Sequence, residues 1–134
     1  MSSKPIIEYL QYMRDEAVPL TPHTVTIEDG ESESGEVDLG GDAIVAVLAP
    51  AAVEATTARL SIKHGFVSGT RYARIMGDGS GAQSIAIEAG KESVVEITDA
   101  VGLYYVSFVA ETDAGVAVAQ TADRVFTVFT RPLG

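Results

Sequence analysis

From Ser84 to Thr130 the chain runs in short stretches of alternating apolar and polar residues, separated by turns rich in Gly, Asp and Lys. Ser84-Ile85-Ala86-Ile87-Glu88 alternates at period two. The turn Ala89-Gly90-Lys91-Glu92 separates it from Ser93-Val94-Val95-Glu96-Ile97. Further strands are expected over Leu103 to Ala110, Val116 to Gln120 and Arg124 to Thr130. Alternation places every second side chain on one face of a sheet. Evenly spaced strands with turn signals between them predict an all-β fold, an antiparallel β-sandwich or jelly roll.

The same pattern extends towards the N-terminus. Thr24-Val25-Thr26-Ile27 is a first strand. Arg59-Leu60-Ser61-Ile62-Lys63 alternates, with Leu60 and Ile62 inward. Gly65 and Gly69 are expected to flank a loop before a strand over Tyr72 to Met76, and Gly77-Asp78-Gly79-Ser80-Gly81 reads as a hairpin turn. Ala43 to Ala49 is a continuous apolar run, expected to be a central strand buried on both faces and ended by Pro50. Ala51 to Thr57 is either one helical turn or a loop. The predicted core is Val25, Ile27, Ile44, Val45, Leu60, Ile62, Ile85, Ile87, Val106, Phe108, Phe126 and Val128.

Residues 4 to 17 predict a helix. Ile6, Leu10, Met13 and Ala17 recur at i, i+4, i+7 and i+11, with Glu8, Gln11, Arg14 and Asp15 on the other side. Ser3 is a candidate N-cap and Pro5 suits the first turn. Pro19 and Pro22 stop propagation. The chain thus divides into an N-terminal helical arm and connector, residues 1–23, and a β-domain, residues 24–134. The arm either covers an open end of its own core or docks on a neighbouring subunit. A helix this short needs a partner surface.

Composition narrows the function classes. The net charge is −10, and the 9 basic residues form no run, which disfavours nucleic acid. No apolar run reaches membrane-spanning length, so no membrane association is expected. Glu8 and Arg14 interrupt any signal-peptide core near the N-terminus, and synthesis in the cytosol without export is expected. With no cysteine, neither a disulfide nor a thiolate metal site can form. Aromatic residues are 7% of the chain and Trp is absent, which weakens a sugar-stacking site.

No catalytic set emerges. His23 lies in the proline connector and His64 at a strand end, and neither neighbours a Gly-x-Ser-x-Gly elbow. The Gly77–Gly81 turn lacks the Gly-Lys-Ser/Thr ending of a phosphate loop. Glu28, Asp29, Glu31, Glu33, Glu36, Asp38 and Asp42 are crowded together with no basic residue among them. Three readings stand for them: a solvated loop, a calcium site without EF-hand spacing, or an acidic surface for a basic partner. No catalytic residue, cofactor or metal ligand is assigned.

One broader pattern is familiar. It comprises Arg59 to Lys63, Arg71-Tyr72-Ala73-Arg74-Ile75, the turn Asp78-Gly79-Ser80-Gly81, Ile85 to Gly90, Tyr104-Tyr105-Val106-Ser107-Phe108 and Ala119-Gln120 through Arg124-Val125-Phe126-Thr127-Val128, with Arg131-Pro132 last. Over residues 58 to 131 this resembles the small β-sandwich structural proteins of tailed bacteriophages, head decoration or cement proteins above all. The resemblance implies a non-enzymatic virion protein, made in the host cytoplasm. It would bind the outside of the major capsid protein lattice and stabilise the head, as a homo-oligomer, dimer or trimer. Alternatives are a tail, neck or baseplate accessory protein, or a glycan- or receptor-binding β-sandwich module. The residues expected to meet a partner are Ile6, Leu10 and Met13 on the arm, and Arg124 and Phe126 on the C-terminal strand, which is a candidate sheet edge.

Overall fold

A computed structural model describes residues 20–95 and 100–132. The proposed helical arm, with Ile6, Leu10 and Met13, lies outside the described residues. Those described are all-β, without a helix.

Eight strands follow in chain order: β1 (Thr21–Ile27), β2 (Val37–Leu48), β3 (Arg59–Val67), β4 (Thr70–Ala73), β5 (Ser84–Ala86), β6 (Glu92–Val94), β7 (Leu103–Glu111) and β8 (Arg124–Arg131). They form one antiparallel sheet in the order β1-β8-β2-β7-β3-β4, with β5 paired to β3 and β6 to β2.

The organising element is β2. Its first part pairs with β7, at Val37↔Val106, Asp38↔Tyr105 and Asp42↔Leu103. Its second part, Ala43 to Leu48, pairs with β8. The register shifts between Asp38 and Asp42, where Gly40 and Gly41 take φ of +63° and +88°. Residues with side chains rarely adopt such angles, so the glycines permit the irregularity. The Asp38 carboxylate accepts a hydrogen bond from the Gly40 amide at 2.8 Å. β2 thus passes from one half of the sheet to the other. Val25, Ile27, Phe126 and Val128 from the first half share a single buried cluster with Leu60, Ile62, Val106 and Phe108 from the second. That arrangement is sandwich-like.

All the predicted core residues are buried except Val45, which is half-buried. A second irregularity, between Ile44 and Ala46, sends Val47 inward in its place. β2 therefore does not bury both faces: Leu48 is exposed. Ala51 to Thr57 is a loop. Val116 to Gln120 makes only an isolated bridge, Glu111↔Ala117, rather than a strand. β1 begins at Thr21, so Thr21, Pro22 and His23 are strand, paired with Thr130, Phe129 and Val128. Pro22 is tolerated because β1 is an edge strand. β8 is no edge, since it lies between β1 and β2.

Candidate interaction surface

Alternation along β3 carries Leu60, Ile62, His64 and Phe66 on one face. Cross-strand pairing sets them against Ala110, Phe108 and Val106 of β7. The core ends before this face does. Leu60 and Ile62 are buried, His64 is half-buried, and Phe66 is 74% exposed. Tyr104 and Tyr72 complete the surface, 42% and 71% exposed. Tyr72 lies across from His64 on β4. The Phe66 ring sits 5.5 Å from that of Tyr104, and it meets the His64 ring edge-on at 4.7 Å. Such tilted and T-shaped pairs suit the ring quadrupole.

Two glycines make the surface possible. A Cβ at Gly65 would lie 1.7 Å from the Thr70 carbonyl oxygen, so β4 approaches β3 only because that position has no side chain. A Cβ at Gly41 would lie 3.0 Å from the Tyr104 ring, which rests against the β2 crossing. Beside them, a groove of about 270 Å³ is lined by His64, Gly65, Phe66, Val67, Thr70 and Tyr72.

The β3–β4 hairpin, which carries Phe66 and Tyr72, is held from the opposite face by the acidic loop. Glu36 accepts hydrogen bonds from the Ser68 hydroxyl at 2.6 Å and the Gly69 amide at 2.7 Å, and it pairs with the Arg71 guanidinium. Glu33 takes the Lys63 ammonium at 3.0 Å and the Ser107 hydroxyl at 2.7 Å. Arg71 Nε in turn donates to Ser107 Oγ at 3.0 Å. At Glu33, burial pushes the pKa up, but hydrogen bonds from Ser107 and Lys63 and the charges of Lys63 and Arg71 hold it below the ordinary 4.5. Ser68, then the Gly69 amide and Arg71, hold Glu36 low as well. Two partly exposed carboxylates of the acidic segment therefore tie it to the β3–β4 hairpin and to β7. No group of His, Asp and Glu able to hold a metal occurs among the described residues.

His64 lies beneath the exposed rings. Burial, and then the Arg74 charge, hold its imidazole below the usual 6.5, so it is neutral at pH 7. His64 Nε2 and Arg74 Nη1 are buried without hydrogen-bond partners among the described residues. Arg74 Nη2 donates to the Val101 carbonyl at 3.1 Å. His23 is elsewhere, with its Nε2 3.1 Å from Thr130 Oγ1.

The C-terminal residues expected to meet a partner are placed differently. Phe126 is 1% exposed and belongs to the core, where the alternation of β8 puts it. Arg124 reaches Glu54 at 3.4 Å. Its neighbour Gln120 is fully buried. The Gln120 Oε1 accepts from the Glu54 amide at 3.0 Å, and its Nε2 donates to Thr57 Oγ1 and the Val118 carbonyl, both at 3.1 Å. The Ala-Gln…Arg pattern thus ties two loops together. The exposed set Phe66, Tyr72 and Tyr104 escaped sequence reasoning. Its one signal was that the inward parity of Leu60 and Ile62 continues to His64 and Phe66.

Comparison with protein-family models, with curated proteins and with solved structures gives no match.

Proposed function

We propose that this chain is a non-enzymatic structural protein of a virus particle, a capsid decoration protein that binds the outside of the major capsid protein lattice and stabilises the head. The observation that carries an attachment role is the exposed aromatic face of Phe66 and Tyr72, on the β3–β4 hairpin clamped from behind by Glu36 and Glu33, with Tyr104 of β7 beside them. Large rings exposed side by side are uncommon on proteins that act alone, and aromatic anchors dominate binding energy at interfaces. A rigid hairpin presents them with little ordering cost. The virion assignment rests on the resemblance of residues 58 to 131 to cement proteins. The acidic balance suits the outer surface of a shell better than its DNA-facing lining. In this reading the sheet is a closed sandwich or jelly roll, copies associate as dimers or trimers, and many weak contacts add up across the lattice.

The same exposed rings favour a second reading, a module that stacks on the faces of sugars or on a receptor. Co-sedimentation with intact particles, at a copy number near that of the major capsid protein, separates the two. Tyr72→Ser combined with Phe66→Ser should abolish co-sedimentation while leaving the melting temperature of the free protein nearly unchanged. Glycan-array binding without particle association would overturn the capsid reading in favour of the module. A copy number in the low tens or below would move the protein to the tail or neck.

A further inference from the structure

We infer that the cavity between β5 and β6 binds a small neutral molecule, apolar except for one amide-like group, a carbonyl beside an N–H as in a lactam. The cavity shares no lining residue with the aromatic groove, so this inference stands apart from the attachment reading.

The first observation is a polar side chain where the fold calls for an apolar one. Gln83, Ile85 and Ile87 recur at period two and are all buried, so they share the core-facing side of β5 and its flanks. Gln83 is 5% exposed. Its backbone is satisfied: the N–H donates to the Arg74 carbonyl at 2.7 Å, and the carbonyl accepts from the Ile62 amide at 2.9 Å. Its side chain is not. The Gln83 Oε1 is buried without a hydrogen-bond partner among the described residues. Gln120 shows the contrast, because it is also buried yet bonds to Glu54, Thr57 and Val118 through its side-chain amide. A buried amide left unmatched destabilises the fold, and native structures keep few of them.

The second observation is the space beside it. A cavity of about 330 Å³ is lined by Gln83 and by apolar side chains that include Met76, Ile85, Val94, Val95 and Ala100. β5 pairs with β3 and β6 with β2, so the cavity lies where the two halves of the sheet meet. Its walls are fixed. The Ser93 hydroxyl donates to the Ala86 carbonyl at 2.6 Å, the Val95 amide to the Val45 carbonyl at 3.0 Å, and the Ile44 amide to the Ala100 carbonyl at 2.9 Å. Val94 is 83% exposed and marks the side open to solvent. Preformed apolar walls with a single polar group are the usual make-up of a small-molecule site.

The third observation is charge. No charged side chain lines the cavity among the described residues. An ion of either sign would lose water there without gaining a counter-charge, so the occupant is neutral. An amide side chain offers both an acceptor and N–H donors, and a lactam returns one of each. A hydrocarbon would fill the walls but leave Gln83 unmatched.

The test is titration of the full-length, isotope-labelled protein with ε-caprolactam and, separately, with benzene, followed by nuclear magnetic resonance. Caprolactam should shift the Gln83 side-chain amide and the backbone amides of Ile85 and Val95, saturably, and should bind more tightly than benzene. Gln83→Leu should weaken caprolactam binding by about tenfold or more and strengthen that of benzene. It should leave the melting temperature of the free protein unchanged or raise it, because the amide it removes has no partner. Absence of caprolactam shifts, or benzene binding as tight as caprolactam in the unaltered protein, would overturn the inference without recourse to any variant. Caprolactam binding unchanged by Gln83→Leu would overturn it as well. So would a lowered melting temperature, which would assign Gln83 to an ordered water instead.

Discussion

A side chain at position 65 has nowhere to go. Its Cβ would overlap the Thr70 carbonyl oxygen at 1.7 Å, and backbone cannot rotate aside as a flexible side chain would. Gly65→Ala must therefore push β4 off β3, at a cost of about 1–3 kcal/mol by the usual penalty for overpacking. Urea unfolding should read that loss, and hydrogen exchange should place it in the Thr70–Ala73 strand. Phe108 makes the opposite demand. It is 0% exposed, paired across from Ile62 and central to the shared core. Phe108→Ala leaves a cavity as well as losing burial, and should cost about 3–5 kcal/mol. If the cost fell below about 1 kcal/mol, the two halves of the sheet would not be packed on each other there. Both positions lie on or beside β3 and β7. The demand at Phe108 was legible from alternation alone. The demand at Gly65 was not, because it depends on how closely a second strand approaches.

At the scale of elements, the acidic segment and the β3–β4 hairpin act as one unit. Glu36 and Glu33 sit below their ordinary pKa because the folded protein supplies hydrogen bonds and cations to their charged forms. Protons therefore bind the unfolded chain more readily. The clamp is fully present above the unfolded value near 4.5 and is lost as pH falls through the lower folded values. Amides of Gly69 and Arg71 should lose exchange protection below that window. Glu36→Gln should weaken their protection already at neutral pH and flatten its acid dependence. An unchanged profile would mean that the hairpin stands without the carboxylate. The sequence offered no sign of this clamp, since the partners of Glu33 and Glu36 are Lys63, Ser68, Arg71 and Ser107, all at least 30 positions away. The strands themselves were readable from period-two alternation in β1, β3, β7 and β8. The start of β2 at Val37 was obscured, because Asp38, Gly40, Gly41 and Asp42 carry turn chemistry within a strand that changes partners. The central place of β8 was beyond reach, because alternation reports which face a residue takes and not which strand lies beside it.

For the whole molecule, a second pH window lies above the first. His64 is held neutral by burial and by Arg74, so its folded pKa is lower than the unfolded value near 6.5. Its contribution is fully present above 6.5 and is lost as pH falls towards the folded value. His64→Gln should flatten the dependence of global stability on pH just below 6.5 without altering the carboxylate window near 4.5. A slope unchanged by the substitution would mean that another group titrates there.

The pairing of the first strand with the last has a consequence for biosynthesis. Thr21 meets Thr130, which is made 109 positions later. At usual translation rates, β1 waits roughly 5–20 s for its partner, with its apolar face and one row of backbone groups unmatched. The other pairing of β8, with β2, is also long-range, and folds dominated by such contacts form slowly. In a nascent chain stalled before Arg124, β1 should therefore remain protease-sensitive, and release of β8 should confer resistance on the first strand and the last in the same step. The ribosome delivers one half of this sheet between the two ends of the other, so β1 can find its place only when the last strand arrives.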